Sequence, residues 1–530
     1  WSPSVRWRCH CRSADRRLRG ARCCCESCPR AQRLIGCVHG EHRSPLSAKD
    51  IGRRTRHCLS LIGCDIVLIK NAWLNGGSVD LRVSDAIQEI GPHLTPAPGE
   101  SVLDAGGGEV LPGLHDHHIH VFAAAAAYGS LDGGAGTVAG CRDRLAQRLA
   151  SATGSDWIRG VAYHEQQLGE LDRWALDALC RDRPVRIQHR SGKLWVCNTL
   201  GLELLQLNAS DQIAGVERDS QGRLNGRIVR NDALIAQRLE ATGGGVQPDV
   251  QGLSRMLAQL GIVGVTDTSA HNNQQSQKDF DRLRRTGEIL QRVELMGDDS
   301  LDSGYLKILL DADQLPPLDD LVQRINAART KGRNVAFHCV SHLELVFALA
   351  ALADAANPEA GFDRIEHGSV VNDEMALRLA SLGMPVITQP GFIYTKGDRY
   401  LADLTGSELS DLYRFRGLQD LGVPVIASSD APYGPVSPWQ VISTAANRQT
   451  LNGIAVGPAE RVSAEQALAG YLTPTSALNR QVSFAEANQV VAGTPADLCI
   501  LQGKWSEVRD KAERARVRAT VIGGSVATDS

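Results

Sequence analysis

From Cys64 onward, apolar and polar residues alternate in short runs. Ile66–Ile69, Val79–Val83 and Ala86–Gly91 each read as a strand, set off by Gly and Asn, and together they predict a small antiparallel sheet. The same pattern returns near the other end, at Ala496–Leu501 and Val517–Gly523. Between these ends the text changes. Strands are predicted at Leu114–His120, Ile262–Thr266, Arg292–Leu295, Tyr305–Leu309, Val335–His338, Arg364–Glu366, Val386–Thr388 and Val425–Ala427. Helical periodicity marks Leu318–Lys331, Leu343–Ala355, Glu374–Leu382 and Glu408–Leu421. Alternating strand and helix implies parallel βα units, so the expected class is α/β. Eight strands is the number that closes a (β/α)8 TIM barrel. Residues 121–250 are too long for one connection. They predict a long insertion after the first barrel strand, a mostly helical lid with a few strands, and such insertions commonly carry specificity.

Composition narrows the class. At 530 residues the chain can bury a barrel and a smaller domain. A net charge of −3 argues against nucleic acid as a partner. No apolar run reaches the ~20 residues of a membrane span; Ala123–Ala127 is far too short. Nine of the 14 cysteines lie in residues 1–64. The others (Cys141, Cys180, Cys197, Cys339, Cys499) are scattered, which fits a reduced, cytoplasmic enzyme body. Residues 1–58 are Arg- and Cys-rich. They are expected to be a disordered or non-native extension rather than a zinc-binding appendage of Cys9, Cys11, Cys23 and Cys28, because the spacings match no standard zinc pattern. No Met precedes Met256, so the true start is expected near Leu59–Val67. No apolar central region marks a secretory signal.

Candidate chemistry begins at Leu111-Pro112-Gly113-Leu114-His115-Asp116-His117-His118-Ile119-His120. On a strand, His118 and His120 share a face, and two imidazoles on one face can grip one metal ion. His338, His367 and Asp430 each end, or closely follow, a predicted strand. Lys307 sits inside the apolar run Gly304–Leu310. The C-terminal strand ends are where a barrel carries its active site. Each residue also has an ordinary reading: strand histidines, a helix N-cap at Asp430, an ion pair of Lys307 with Asp267 or Asp311.

In order and spacing, this set resembles the metal-dependent amidohydrolase superfamily, in its amidohydrolase family 3 (YtcJ-like) branch, over roughly residues 62–525. The pieces that carry the resemblance are Pro112–His120, His338, Arg364-Ile365-Glu366-His367, Ser429-Asp430-Ala431-Pro432 and Gly493-Thr494-Pro495-Ala496-Asp497-Leu498. The resemblance implies a discontinuous β-sandwich, residues 59–111 with 485–530, flanking a hydrolase barrel at 112–484. It implies that His118 and His120 hold the more buried metal. His338 and His367 would hold a second metal, or supply one ligand and one transition-state donor. Lys307 would be carbamylated and bridge two ions, and Asp430 would bind metal and shuttle a proton. The implied cofactor is zinc, one ion or two, with iron or manganese as substitutes.

The implied reaction is cleavage of a non-peptide C–N bond, in an amide, cyclic amide or N-acyl group of a small-molecule substrate, by metal-bound hydroxide. A mononuclear aminohydrolase (deaminase) and a non-catalytic barrel scaffold are the alternatives, and relatives suggest a homodimer. Two positions depart from the family. Arg230 stands where members often carry an acidic residue, and could clamp a substrate carboxylate. Lys193 stands near where a His is usual, with His189 close by. Gln389, Phe392 and Tyr394, after the seventh strand, are expected to line the pocket, and His164 and Glu165 to reach it.

Overall fold

The computed structural model describes residues 66–132, 157–242, 248–357, 363–474 and 489–529, with helical positions 143, 145–147 and 149. The expectations for residues 1–58, and for the outermost parts of the two end segments, fall outside them.

Both chain ends build the predicted small sheets. Val67–Leu74 pairs with Gly77–Val83 across Asn75 and Gly76, whose φ values of 50° and 84° make a turn that matches strand twist. Ile87–Gly91 and Ser101–Asp104 complete four strands. A second sheet of four orders Ser525–Asp529, Val517–Ile522, Leu498–Leu501 and Val110–Pro112. Residues from the two sheets, among them Ile69, Leu81, Leu103, Leu498, Ile500 and Val521, share one apolar cluster. That contact is why alternate positions in both segments are apolar.

Eight strands fall where the pattern placed them, within one or two residues at either end: β1 (Leu114–Ile119), β2 (Ile262–Asp267), β3 (Arg292–Leu295), β4 (Leu306–Leu309), β5 (Val335–Cys339), β6 (Arg364–His367), β7 (Val386–Thr388) and β8 (Val425–Ala427). β1–β2–β3 form one parallel ladder and β4 to β8 another. Parallel bridges at Gly297–Leu306 and Ile119–Ala431 join the two ladders at both seams, so the pairing order returns to its start. Helices Leu318–Thr330, His342–Asp354 and Asp373–Ser381 match prediction to within a residue. Their buried faces meet strand residues such as Leu306, Phe337, Ile365 and Val386 in the largest core cluster.

Two expectations are corrected. Glu408–Leu421 is not one helix but two short ones, Gly406–Ser410 and Arg416–Asp420. Between them the backbone pairs with the loop after β6: Tyr413 N–H donates to Ser369 O at 2.7 Å and Val370 bridges Leu412. Tyr413 takes a left-handed φ of 44°, which no helix interior tolerates. Among the described residues the insertion keeps its expected helices but holds more strand than expected, one six-stranded sheet in the order Val216–Arg218, Leu224–Val229, Leu194–Cys197, Val185–His189, Ile158–Tyr163, Leu131–Asp132. These strands are two to six residues long, too short for a period-two pattern to accumulate before a turn interrupts it. Among the described residues, no helix is long and apolar enough to cross a membrane.

Candidate metal centre

The strand ends bring the predicted ligands together. His118 lies in β1 and His120 directly follows it; Lys307 lies in β4, His338 in β5, His367 in β6, and Asp430 follows β8. β1 and β8 are laced at the site: Asp430 N–H donates to His118 O at 2.8 Å and His120 N–H to Ala431 O at 3.0 Å. His367 and Asp430 both take left-handed backbone, with φ of 71° and 51°. Such conformations cost a non-glycine residue roughly 1–3 kcal/mol and persist where the surroundings over-determine them.

The carboxylate of Asp430 is the hub. Its Oδ1 lies 3.5 Å from His118 Nε2 and 3.3 Å from His120 Nε2, and its Oδ2 lies 3.9 Å from His367 Nδ1. The His118 and His367 rings are 4.8 Å apart, and the His338 and His367 rings 4.5 Å. Two donors each ~2.1 Å from a tetrahedral ion stand ~3.4 Å apart, so the Asp430–His118 and Asp430–His120 separations are those of ligands to one metal. Two buried polar atoms here have no hydrogen-bond partner, Asp430 Oδ1 and Lys307 Nζ. Orphaned atoms of that kind are costly unless something else satisfies them. The donor set and the orphaned Asp430 oxygen both fit a divalent cation.

His367 Nδ1, the nitrogen nearest Asp430, also meets Gln389 Oε1 at 2.7 Å. The far nitrogens of His118 and His120 are tied down. His118 Nδ1 contacts Glu366, whose other oxygen accepts from Arg364 Nε. His120 Nδ1 meets Ser269 Oγ at 3.1 Å. Partners on the far nitrogen fix the tautomer and aim the near one, as around known metal centres. Sequence reasoning gave Glu366 and Ser269 no role. The signal for Glu366 was present: Arg364 and Glu366 are opposite charges two apart on one four-residue strand.

Electrostatics follow from burial. Burial by itself would raise the Asp430 carboxyl; the nearby His118, His120 and His367 outweigh it and hold the group well below the ordinary carboxylate range. Burial pushes Lys307 down to about 8, with Arg364 adding to it against Glu366 and Asp430. His338 is pushed down to about 4, by burial first and then by Lys307 and His118. The expected alternative for Lys307, an ion pair, does not form: Asp267 instead accepts from Val121 N–H at 2.7 Å, Asn272 Nδ2 at 2.7 Å and Ser269 N–H at 3.0 Å.

The ligands open into a cavity of about 1260 Å³. Phe392 lines it, as expected, and so does Lys193. Gln389 lies beneath His367 rather than in the lining. Tyr394 is outside the lining; its carbonyl accepts from Leu451 N–H at 2.9 Å. Arg230 is exposed and also outside it, in the turn that ends strand Leu224–Val229, with a left-handed φ of 49° and its N–H on Lys193 O. His189 stands outside the lining as well, in a separate group with His164 and Glu165.

A profile of the amidohydrolase family matches residues 101–528. The chain belongs to the amidohydrolase family. This amidohydrolase is 24% identical over 468 residues to the N-substituted formamide deformylase of Arthrobacter pascens, covering 76% of this chain and 85% of the relative. It is 22% identical over 490 residues to the putative amidohydrolase YtcJ of Bacillus subtilis (strain 168), covering 81% and 91%. In fold it is similar to a metal-dependent hydrolase from Pyrococcus horikoshii OT3, with a TM-score of 0.66, 22% identity and coverage of 84% of this chain and 99% of that one. A second, from Pyrococcus furiosus, gives 0.63, 22%, 82% and 99%.

Proposed function

We propose that this amidohydrolase is a metal-dependent hydrolase that cleaves a non-peptide C–N bond, with a (β/α)8 barrel carrying the site and a β-sandwich of both chain ends beside it. The cyclic order of parallel strands supports the barrel, and the shared cluster of the two end sheets supports the sandwich. One observation carries the function: Asp430 Oδ1 lies within 3.5 Å of both His118 Nε2 and His120 Nε2, without a hydrogen bond of its own. His118, His120 and Asp430 would hold one ion, zinc first, with iron or manganese able to use the same donors. His338 and His367 would hold a second, with Lys307, its amine carbamylated, as a further ligand. Bound metal supplies Lewis acidity, polarising the scissile carbonyl and acidifying water.

The protein's own part is proton handling. Asp430, ionised at neutral pH, accepts the water's proton and passes it to the leaving nitrogen. With one ion instead of two, His338, in the cavity wall, would be free to steady the oxyanion. The Arthrobacter relative, named for N-substituted formamides, supports an N-acyl amine as the bond class. Four buried free cysteines, Cys180, Cys197, Cys339 and Cys499, support a reducing, cytoplasmic setting.

The test is elemental analysis of protein purified without chelator, together with turnover of N-formyl and N-acetyl amines. Two ions per chain with turnover is the expected result. One ion redirects the reading to a mononuclear aminohydrolase. No ion after supplementation with zinc, iron or manganese would overturn the hydrolase and leave a scaffold.

A further inference from the structure

The cavity wall opposite the metal ligands is cationic. Arg190 and Lys193 come from the inserted sheet, and Lys396 and Arg399 from helix Gly391–Asp403. The wall's carboxylates do not neutralise them all. Arg399 pairs with Asp403 at 2.8 Å. Asp411 and Glu408 also line the cavity, but among the described residues no ion pair or side-chain hydrogen bond joins either of them, or any other acid, to Arg190 or Lys396. The Lys396 ammonium instead lies 3.5 Å from the centroid of the Phe392 ring, a contact that holds a cation without discharging it. Burial pushes Lys396 down to about 8, and Arg190 and Arg399 add to this against the pull of Asp430. Lys396 therefore lies close enough to feel the charges of both Arg190 and Asp430. Two half-buried cations, neither in an ion pair among the described residues, thus share a cavity with the metal ligands. An aromatic wall of Phe392 and Tyr413, ring centroids 5.7 Å apart, stands beside them.

We infer that Arg190 and Lys396 form a carboxylate subsite, and that the ligand is an N-acyl amine bearing a carboxylate near an aromatic or apolar body. The planar guanidinium of Arg190 matches a carboxylate's two oxygens, and Lys396 adds a compact charge at the deeper end. The anion restores the balance that the wall lacks, and its binding aims the amide at Asp430. This deepens the hydrolytic reading and rests on it only for the fate of the ligand. For N-benzoylglycine that fate is water adding at the acyl carbon, the C–N bond breaking, the nitrogen taking a proton, and benzoate and glycine leaving. The role first given to Arg230 passes to two residues that face the cavity.

The experiment measures equilibrium binding of N-benzoylglycine and of its neutral primary amide to the metal-loaded enzyme by calorimetry, with glycine or glycinamide release followed separately. The carboxylate form is expected to bind about 10- to 100-fold tighter. That preference should vanish in Lys396→Met and shrink in Arg190→Gln, with melting temperatures within about 2 °C of the parent. Equal binding of the two probes, no binding of either at millimolar concentration, or a variant that weakens both alike would each overturn the subsite. Tight, charge-selective binding without release would keep the subsite and overturn the hydrolytic reading.

Discussion

Two groups of side chains in this amidohydrolase offer a metal the same chemistry. His118, His367 and Asp430 place ligand atoms within 4.8 Å of one another, and so do His164, Glu165 and His189. They differ in everything around the ligands. The first group is buried at strand ends, with the Asp430 side chain 7% exposed. The second sits on the insertion, with Glu165 51% exposed and already engaged to His189 at 3.0 Å and His164 at 3.7 Å. In the first, histidine nitrogens are held by Glu366, Ser269 and Gln389, residues far along the chain. In the second, His189 Nδ1 is held by its neighbour Ser191 at 2.8 Å. Water can satisfy the second group as well as a metal can. In the first, Asp430 Oδ1 and Lys307 Nζ are buried with no protein hydrogen-bond partner. The lesson is that ligand identity is cheap and preorganised burial is not.

The largest effect expected from this contrast is on turnover. Asp430→Asn should lose about 10²- to 10⁴-fold in kcat, whereas Glu165→Gln should stay within about threefold of the parent, read by steady-state kinetics on one amide. Comparable losses would erase the distinction. Next comes metal content. His118→Ala should lose tightly held metal on dialysis and His189→Ala should keep it, read by elemental analysis. A smaller effect tests the supporting partners. Glu366→Gln should weaken metal affinity about 10- to 100-fold while Ser191→Ala leaves it unchanged, read by competition with a chelating dye.

The smallest effect lies outside both groups and separates loss of fold from loss of site. Asp80, 3% exposed in the small sheet, accepts from Asn71 N–H at 3.0 Å and Leu94 N–H at 2.9 Å and pairs with Lys70. Burial alone would raise its carboxyl; these donors outweigh burial and lower it below its ordinary 3.8. A lowered folded pKa means the unfolded chain binds the proton more tightly. The stability Asp80 contributes is therefore fully present above pH ~4 and lost as pH falls through the folded value. Asp80→Asn should cost about 1–2 kcal/mol at pH 7 and give a shallower decline below pH 4 in urea melts, without changing metal content.

Most of the parallel strands and the helices between them were legible because their signals are local. A strand such as Val335–Cys339 announces itself in five residues, and the helix His342–Asp354 begins with a capping box between Ser341 and Glu344 that any reader of the chain can see. The candidate ligands were legible for the same reason, each lying at or beside the end of such a run. Glu366 escaped notice because its partner His118 is 248 residues away. The break at Tyr413 escaped because pairing with Ser369 overrode helical periodicity.

The sequence alone determined the order of strands and helices, the spacing of His118, His120, His338, His367 and Asp430, and hence the family. Periodicity and motif spacing are properties of neighbouring residues, and neighbours are what a sequence records. Only the tertiary structure decided that Lys307 would be buried without a partner, that Arg230 would lie outside the cavity, and that Arg190 and Lys396 would share it. Those outcomes depend on which distant segments exclude water from each side chain, a sum over contacts that no local pattern contains.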